Sequence, residues 1–377
     1  MQNQRLKQPV HGGNLAWAAS LAGCSPSFIL DFSASINPLG PPQSVLDAIA
    51  HSIHLLRHYP DPGYGALRQA LAQHHQLDPE WVLPGNGSAE LLTWAGRELA
   101  DCEATYLPTP AFGDYRRSLN AFDASVVDLP FWVDAPIEQS EQPLVSQGAL
   151  VLSRCPLPES VPSANCGLIV NNPHNPTGQL FAQSTLLPAL ERFRLVVVDE
   201  AFMDFLPPEY DQSVAALVMQ HPNLVVLRSL TKFYSLPGLR LGYAIAHPDR
   251  LRLWQQWRDP WSVNTLAEVA AIAALADAPF QQQTWDWLSA ARSQVFTGLR
   301  HISGLTPLPG AANYLLVKSD RSAVELQHNL LKHHRILIRD CISFPELGDR
   351  YFRIAIRTPT ENQTLLTALT QALFSNL

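Results

Sequence analysis

The chain has 377 residues, 46% of them apolar and 16% charged, enough to bury one large core and a smaller one and too apolar for a disordered chain. A formal net charge of −7 argues against a general nucleic-acid binder, and no apolar run approaches the ~20 residues that cross a bilayer. Five cysteines, an odd number without CxxC spacing, suit a reduced protein of the cytoplasm.

In chain order, residues 1–40 read as an irregular arm rich in Gly and Pro, packing near the C-terminal part. Leu21-Ala22-Gly23-Cys24 looks like a lipoprotein cleavage site, but the apolar stretch before it is short. A helix capped by Asn14 and ended by Gly23 accounts for it better. Residues 41–258 alternate between strand-like and helix-like stretches. The predicted strands are Trp81–Pro84, Glu103–Leu107, Ser125–Leu129, Ala149–Ser153, Gly167–Asn171, Arg194–Asp199, Leu224–Ser229 and Leu241–Ala246. Val196-Val197-Val198 is apolar without alternation, as in a strand covered on both faces. Helical patterns at Tyr64–His75, Ser88–Leu99 and Gln183–Arg192 lie between strands. The alternation predicts an α/β fold with a mainly parallel sheet flanked by helices. Pro130–Pro162 reads as a surface excursion. Residues 259–377 predict a small α+β domain. Its helices cover Asn264–Ala276, Trp285–Leu299 and Ser322–His333, and its short strands Asn313–Val317 and Tyr351–Ile356.

Four stretches carry chemistry. Arg194–Glu200, RLVVVDE, ends an apolar strand in Asp199. No Gly-Lys pair occurs in the chain, which excludes a P-loop partner for it, and Asp199 alone is as consistent with a helix cap as with a functional acid. Neither Gly63-Tyr64-Gly65 nor Gly85-Asn86-Gly87 continues as GxGxxG, so a dinucleotide site finds little support. Asn171–Gly178, NNPHNPTG, forms a rigid turn after a strand, where ligands bind in open α/β sheets. Gly85–Leu92, GNGSAELL, runs from a glycine turn straight into a helix, an anion-binding arrangement. Ser229–Tyr243, SLTKFYSLPGLRLGY, holds Lys232, one of four lysines against 22 arginines. A lysine amine can lose its proton and attack a carbonyl, and an arginine cannot. An amine, a phosphate cradle, a carboxylate for a ring nitrogen and a neutral donor for a ring oxygen together suit pyridoxal 5′-phosphate. His51, His54 and His58 fall one helical turn apart, but without accompanying Cys or carboxylates they predict no metal.

With these motifs in place, the chain resembles the aspartate-aminotransferase-like, fold-type I pyridoxal-phosphate enzymes over nearly its whole length. The resemblance implies a seven-stranded, mainly parallel sheet, a small α+β domain and a homodimer with shared active sites. It implies that Lys232 carries the cofactor's Schiff base, Asp199 faces the pyridine nitrogen and Asn175 donates to the 3′-oxygen. The phosphate would rest on Asn86, Gly87, Ser229, Thr231 and Arg240, with Phe112 stacked on the ring and Tyr59 reaching the phosphate of the neighbouring subunit. Arg353, in Phe-Arg-Ile-Ala, matches a substrate-anion arginine. Phe202 departs from the pattern, because the family usually has a tyrosine three residues after the aspartate. Two subgroups fit. Histidinol-phosphate aminotransferases share the Tyr-Pro stretch and an arginine like Arg339. The arm, His11-Gly12-Gly13-Asn14 followed by Asp31–Gly40, is more similar to the threonine-phosphate decarboxylases, whose product feeds cobalamin assembly. That points to His11, Gly12, Gly13, Asn37, Asn175, Arg339 and Arg353 as contacts for a small phosphorylated amino acid. A catalytically idle effector-binding domain is disfavoured by the intact lysine.

Overall fold

A computed structural model of the chain describes residues 8–131, 152–158, 160 and 163–374. Seven strands form the main sheet: β1 (Val82–Asn86), β2 (Thr105–Thr109), β3 (Val126–Pro130), β4 (Gly167–Asn171), β5 (Leu195–Asp199), β6 (Leu224–Ser229) and β7 (Leu241–Ala246). Their spatial order is β1-β7-β6-β5-β4-β2-β3. Every pair from β6 across to β3 is parallel, and β7 alone runs antiparallel, against both β1 and β6. The central strands β4, β5 and β6 are buried at every residue, which is why they read as unbroken apolar runs. They end in polar residues at one level: Asn171 lies beside Asp199, and Asp199 beside Leu227, two residues before Ser229. The crevice outside these carboxyl ends is where such sheets bind ligands.

Of the strand expected at Ala149–Ser153, the first three residues lie outside the described part. Leu152–Ser153 pairs with Leu180–Phe181 in a separate two-stranded ladder and does not join the main sheet. Pro130 closes β3, and of the rest of Pro130–Pro162 the described residues are 131, 152–158 and 160.

A second, antiparallel sheet is built from β8 (Leu305–Pro307), β9 (Tyr314–Ser319), β10 (Arg339–Asp340) and β11 (Tyr351–Ala355), in the order β8-β9-β11-β10. Register sets Arg339 directly opposite Arg353. Like charges opposed across a ladder are unfavourable unless an anion or other acceptors compensate them. The arm joins this sheet's side of the molecule. Helix α1 (Leu15–Ala22) starts on Asn14, whose Oδ1 accepts the Trp17 N–H at 3.0 Å, and stops at left-handed Gly23 with φ 64°. It packs on the helix Ala323–His334. Leu30–Asp31 then pairs in parallel with Ile336–Leu337, and the Phe32 carbonyl accepts the Ala355 N–H at 2.8 Å.

The helix Thr265–Ala276 packs on the helices Gln43–Ser52 and Gly65–His75. One continuous core runs from Leu67 and Val198 of the large sheet's surroundings to Leu330 and Leu365 near the C-terminus.

Candidate active site

The crevice beyond β4, β5 and β6 opens into a cavity of about 640 Å³. That is within the ordinary range for a site holding a cofactor and a small substrate. Its floor comes from the strand ends. β6 ends at Ser229, whose Oγ caps the four-residue helix Leu230–Phe233 by accepting the Thr231 N–H, and the helix presents Lys232. The Lys232 ammonium donates to Thr231 Oγ1 at 2.9 Å. Burial, with help from the Arg240 and Arg353 charges and against the pull of Asp199, lowers its pKa from 10.5 to about 8. An amine that titrates this close to neutral pH has an appreciable uncharged fraction, the form a nucleophile needs.

Asp199 is buried at the end of β5. Its Oδ1 accepts the Ala201 N–H at 3.0 Å, and its Oδ2 accepts the Tyr115 hydroxyl at 2.8 Å. Burial pushes its pKa up, and the Tyr115 hydroxyl, the Ala201 N–H and the Lys232 charge oppose that rise. Asn175 sits in the turn after β4. Its backbone N–H donates to Asn171 Oδ1 at 2.6 Å, and Asn171 Nδ2 donates to the Asp199 carbonyl at 2.8 Å. Asn175 Oδ1 accepts from the Arg353 guanidinium, which leaves the Asn175 NH₂ as the donor end. Arg353 also lies 4.8 Å over the Tyr314 ring.

An anion cradle occupies one wall. Gly87 has φ +76°, and a Cβ there would come within 2.7 Å of Arg240 Nη2. The helix Ser88–Leu99 starts at that point with its N-terminal backbone facing the cavity. Ser229 Oγ and Thr231 Oγ1, 2.7 Å apart, and Arg240, itself left-handed at φ 59°, complete the cradle. A buried near-neutral amine, a buried carboxylate, an amide donor and this cradle fit pyridoxal phosphate by the chemistry of the donor set.

Of the residues singled out from sequence, Lys232, Asp199, Asn175, Gly87, Phe112 and Arg240 line this cavity, as do Ser229 and Thr231. It is also lined by His11, Gly12, Gly13, Arg339 and Arg353. Arg339 is not free: it donates to the Pro9 and Val10 carbonyls and to Ser343 Oγ, tying down the arm. The Gly13 N–H is likewise used, donating to Ser33 Oγ at 2.8 Å. The His11 ring is 5.8 Å from the Phe112 ring.

Three residues fall outside. Asn37, expected at the substrate, is buried behind the lysine helix. Its Nδ2 donates to the Phe233 carbonyl at 2.8 Å and to Thr284 Oγ1 at 2.9 Å, and its N–H donates to the Lys232 carbonyl at 3.0 Å. It braces Lys232 and is turned away from the cavity because every polar group it has is already satisfied there. Asn86 is exposed, and its N–H donates to Glu90 Oε2 at 2.6 Å, so the turn's contribution to the cavity comes through Gly87. Tyr59 is 79% exposed and packs on Trp261 with ring centroids 4.7 Å apart, away from this chain's cavity. Phe202 does line the cavity, edge-on to Tyr314 at 5.0 Å, and the Tyr314 hydroxyl is spent on the His174 carbonyl at 2.9 Å. Neither side chain therefore replaces the missing hydroxyl. Asn171, which opens the Asn171–Gly178 turn, also lines the cavity, as do Ser33 and Tyr115, to which the sequence assigned no role. The signal for Tyr115 is its place one helical turn after Phe112. Among the described residues no group of three or more His, Cys, Asp or Glu is placed to hold a metal. No described helix is long and apolar enough to cross a membrane.

Residues 28–369 match the family profile described as aminotransferase class I and II. A threonine-phosphate decarboxylase of Salmonella typhimurium is 39% identical over 98% of this chain and 98% of its own. A histidinol-phosphate aminotransferase of Symbiobacterium thermophilum is 33% identical over 89% of this chain and 88% of its own. Among solved structures, the L-threonine-O-3-phosphate decarboxylase of Porphyromonas gingivalis superposes with a TM-score of 0.78 at 25% identity, covering 92% of this chain and 99% of that one. The cavity's donor set and these matches lead to one conclusion: the chain belongs to the aminotransferase class I and II family, a pyridoxal-phosphate enzyme of the aminotransferase fold.

Proposed function

We propose that the protein decarboxylates L-threonine O-3-phosphate, releasing CO₂ and (R)-1-aminopropan-2-yl phosphate, a step of cobalamin assembly. The observation that carries this reading is the lining of the cavity, which brings Arg339, Arg353 and His11 into one space with Lys232. A substrate with a phosphate and a carboxylate needs two anion sites besides the cofactor's own cradle. The opposed pair Arg339 and Arg353 supplies them.

When bound, pyridoxal phosphate supplies a ring that draws off the electron pair of the bond breaking at the substrate's α-carbon. The chain does the rest. Asp199, with the Tyr115 hydroxyl and the Ala201 N–H as donors favouring its anion, would hold the ring nitrogen. Asn175, its amide oriented by Arg353, would donate to the ring oxygen. Arg353 and Arg339 would grip the two anionic groups of the substrate and so set how its α-carbon is presented. An incoming phosphate displaces the Val10 carbonyl from Arg339, so substrate binding and the seating of the arm are coupled. Lys232, titrating near 8, can carry a proton as the ammonium close to neutral pH; it would deliver that proton to the α-carbon in place of the departed carboxylate and be left as the neutral amine.

The test is product analysis with L-threonine phosphate as sole substrate. Release of CO₂ and of aminopropanol phosphate over many turnovers is the expected result. Turnover only with histidinol phosphate plus 2-oxoglutarate would establish the aminotransferase reading, which the Symbiobacterium relative favours.

A homodimer completes the proposal. Tyr59 and Trp261, packed on each other, and Leu46, Ile53 and Leu56 are large apolar side chains left exposed. A second copy covering them would bring Tyr59 to the partner's phosphate cradle. The five cysteines are all free thiols, which agrees with a cytoplasmic location.

A further inference from the structure

We propose that Tyr115 is a positioning residue that fixes the proton on the cofactor's ring nitrogen by holding Asp199 as a carboxylate. This rests on the pyridoxal-phosphate reading of the site. The motivation is geometric. Two fully buried groups meet where β5 ends against the first turn of the helix Gly113–Asn120, and the Tyr115 hydroxyl donates to Asp199 Oδ2 at 2.8 Å. The carboxylate has one other donor there, the Ala201 N–H. The ring-oxygen side is correspondingly poor: Phe202 has no hydroxyl, and the Tyr314 hydroxyl points to His174. With one donor lost on the oxygen side, electron withdrawal by the ring depends more heavily on its nitrogen staying protonated.

The groups facing Asp199 are few. Tyr115 comes from the helix Gly113–Asn120, and so does Asp114, whose charge raises the carboxyl's proton affinity. Lys232 faces it from the lysine helix and lowers that affinity. Tyr314, from the second sheet, feels the same carboxylate. Burial alone would favour a neutral carboxylic acid here, and in a dry site the proton shared between Asp199 and a pyridine nitrogen would then sit on the acid. The hydroxyl, donating to Oδ2, works against that preference. It stays protonated itself, because burial and the adjoining Asp199 charge push the Tyr115 pKa far up. The Tyr115 proton is thus never in competition; it serves only to stabilise the anion.

The test uses Tyr115→Phe, reloaded with ¹⁵N-labelled pyridoxal phosphate. In the native protein the ring ¹⁵N resonance is expected at the pyridinium position, and in Tyr115→Phe it should move toward neutral pyridine, where Asp199→Asn supplies the reference. Cofactor binding should weaken by roughly tenfold to a hundredfold, the span for a lost hydrogen bond to a charged group. The KM for threonine phosphate should stay within about twofold, since the hydroxyl touches no substrate. If Tyr115→Phe fails to fold, 3-fluorotyrosine at 115 replaces it. Being a stronger donor, it should hold the resonance at the pyridinium position and tighten the cofactor. An unmoved ¹⁵N resonance in Tyr115→Phe, or a neutral-pyridine resonance in the native protein, overturns the proposal. If the native protein takes up no pyridoxal phosphate at all, it is the cofactor reading that fails.

Discussion

At the scale of single residues, the site is set by what surrounds two ionisable groups. A lysine in water is almost wholly charged at neutral pH, and Lys232, taken out of water, titrates near 8. Its folded pKa is below the unfolded 10.5, so charging this amine opposes folding; that cost is present in full below pH 8 and fades as pH rises toward 10.5. Reloading of cofactor-stripped protein should therefore speed up with pH along a curve centred near 8, followed by the growth of visible absorbance. A curve centred above 10 would mean the amine is solvated. Borohydride treatment of the loaded protein should leave the cofactor on the peptide containing Lys232 and not on Lys318 or Lys332. Gly87 is constrained in another way. Its positive φ and the Arg240 guanidinium beside it leave no room for a methyl group. Gly87→Ala should cost about 1 to 3 kcal/mol through local strain and a shifted Arg240, read as up to roughly 5- to 160-fold weaker cofactor binding by fluorescence titration together with a lower melting temperature.

The level of elements shows which features are legible in a linear sequence. Strands β4, β5 and β6 are, because burial on both faces demands unbroken apolar runs and the turn after β4 demands Asn, Pro and Gly. Lys232, Asp199 and Asn175 follow from them, since the ends of neighbouring parallel strands must lie together. The ladders Leu30–Asp31 with Ile336–Leu337 and Leu152–Ser153 with Leu180–Phe181 are not legible. Two residues carry no periodicity, and their pairing is decided by distant partners. Asn37 lies in a motif that tracks the substrate-binding arm, yet nothing in the sequence says which way its amide turns. Tyr115 sits on a short amphipathic helix, where an aromatic residue most simply means packing. These two therefore part company with expectation for the same reason: the deciding fact is a hydrogen-bond partner 84 or more positions away. Asn37→Ala separates the roles. A brace for the lysine helix should lose about 1 to 3 kcal/mol of unfolding free energy in urea and depress kcat while leaving KM near the native value. A direct substrate contact would instead raise KM with little change in stability.

For the whole molecule, the exposed Tyr59 argues for function in pairs. Its ring is presented outward on Trp261, where a monomer gains nothing by holding a tyrosine. Mixing an inactive Lys232→Ala chain with an inactive Tyr59→Ala chain under subunit exchange should regain up to about a quarter of native activity, the share of sites that are intact in random pairing of equal amounts. Verified mixed dimers without activity would count against a shared site. The arm's ladder has a consequence for the order in which the protein is made. Leu30 waits for Ile336, and Phe32 for Leu337 and Ala355, so one wall of the cavity closes on contacts spanning more than 300 residues of chain. Closing loops of that length is slow compared with forming the neighbouring parallel strands. During synthesis, the lysine, the aspartate and the phosphate cradle have all left the ribosome while the arm still has nothing to pair with. The cofactor's half of the site is therefore available for assembly well before the substrate's half exists.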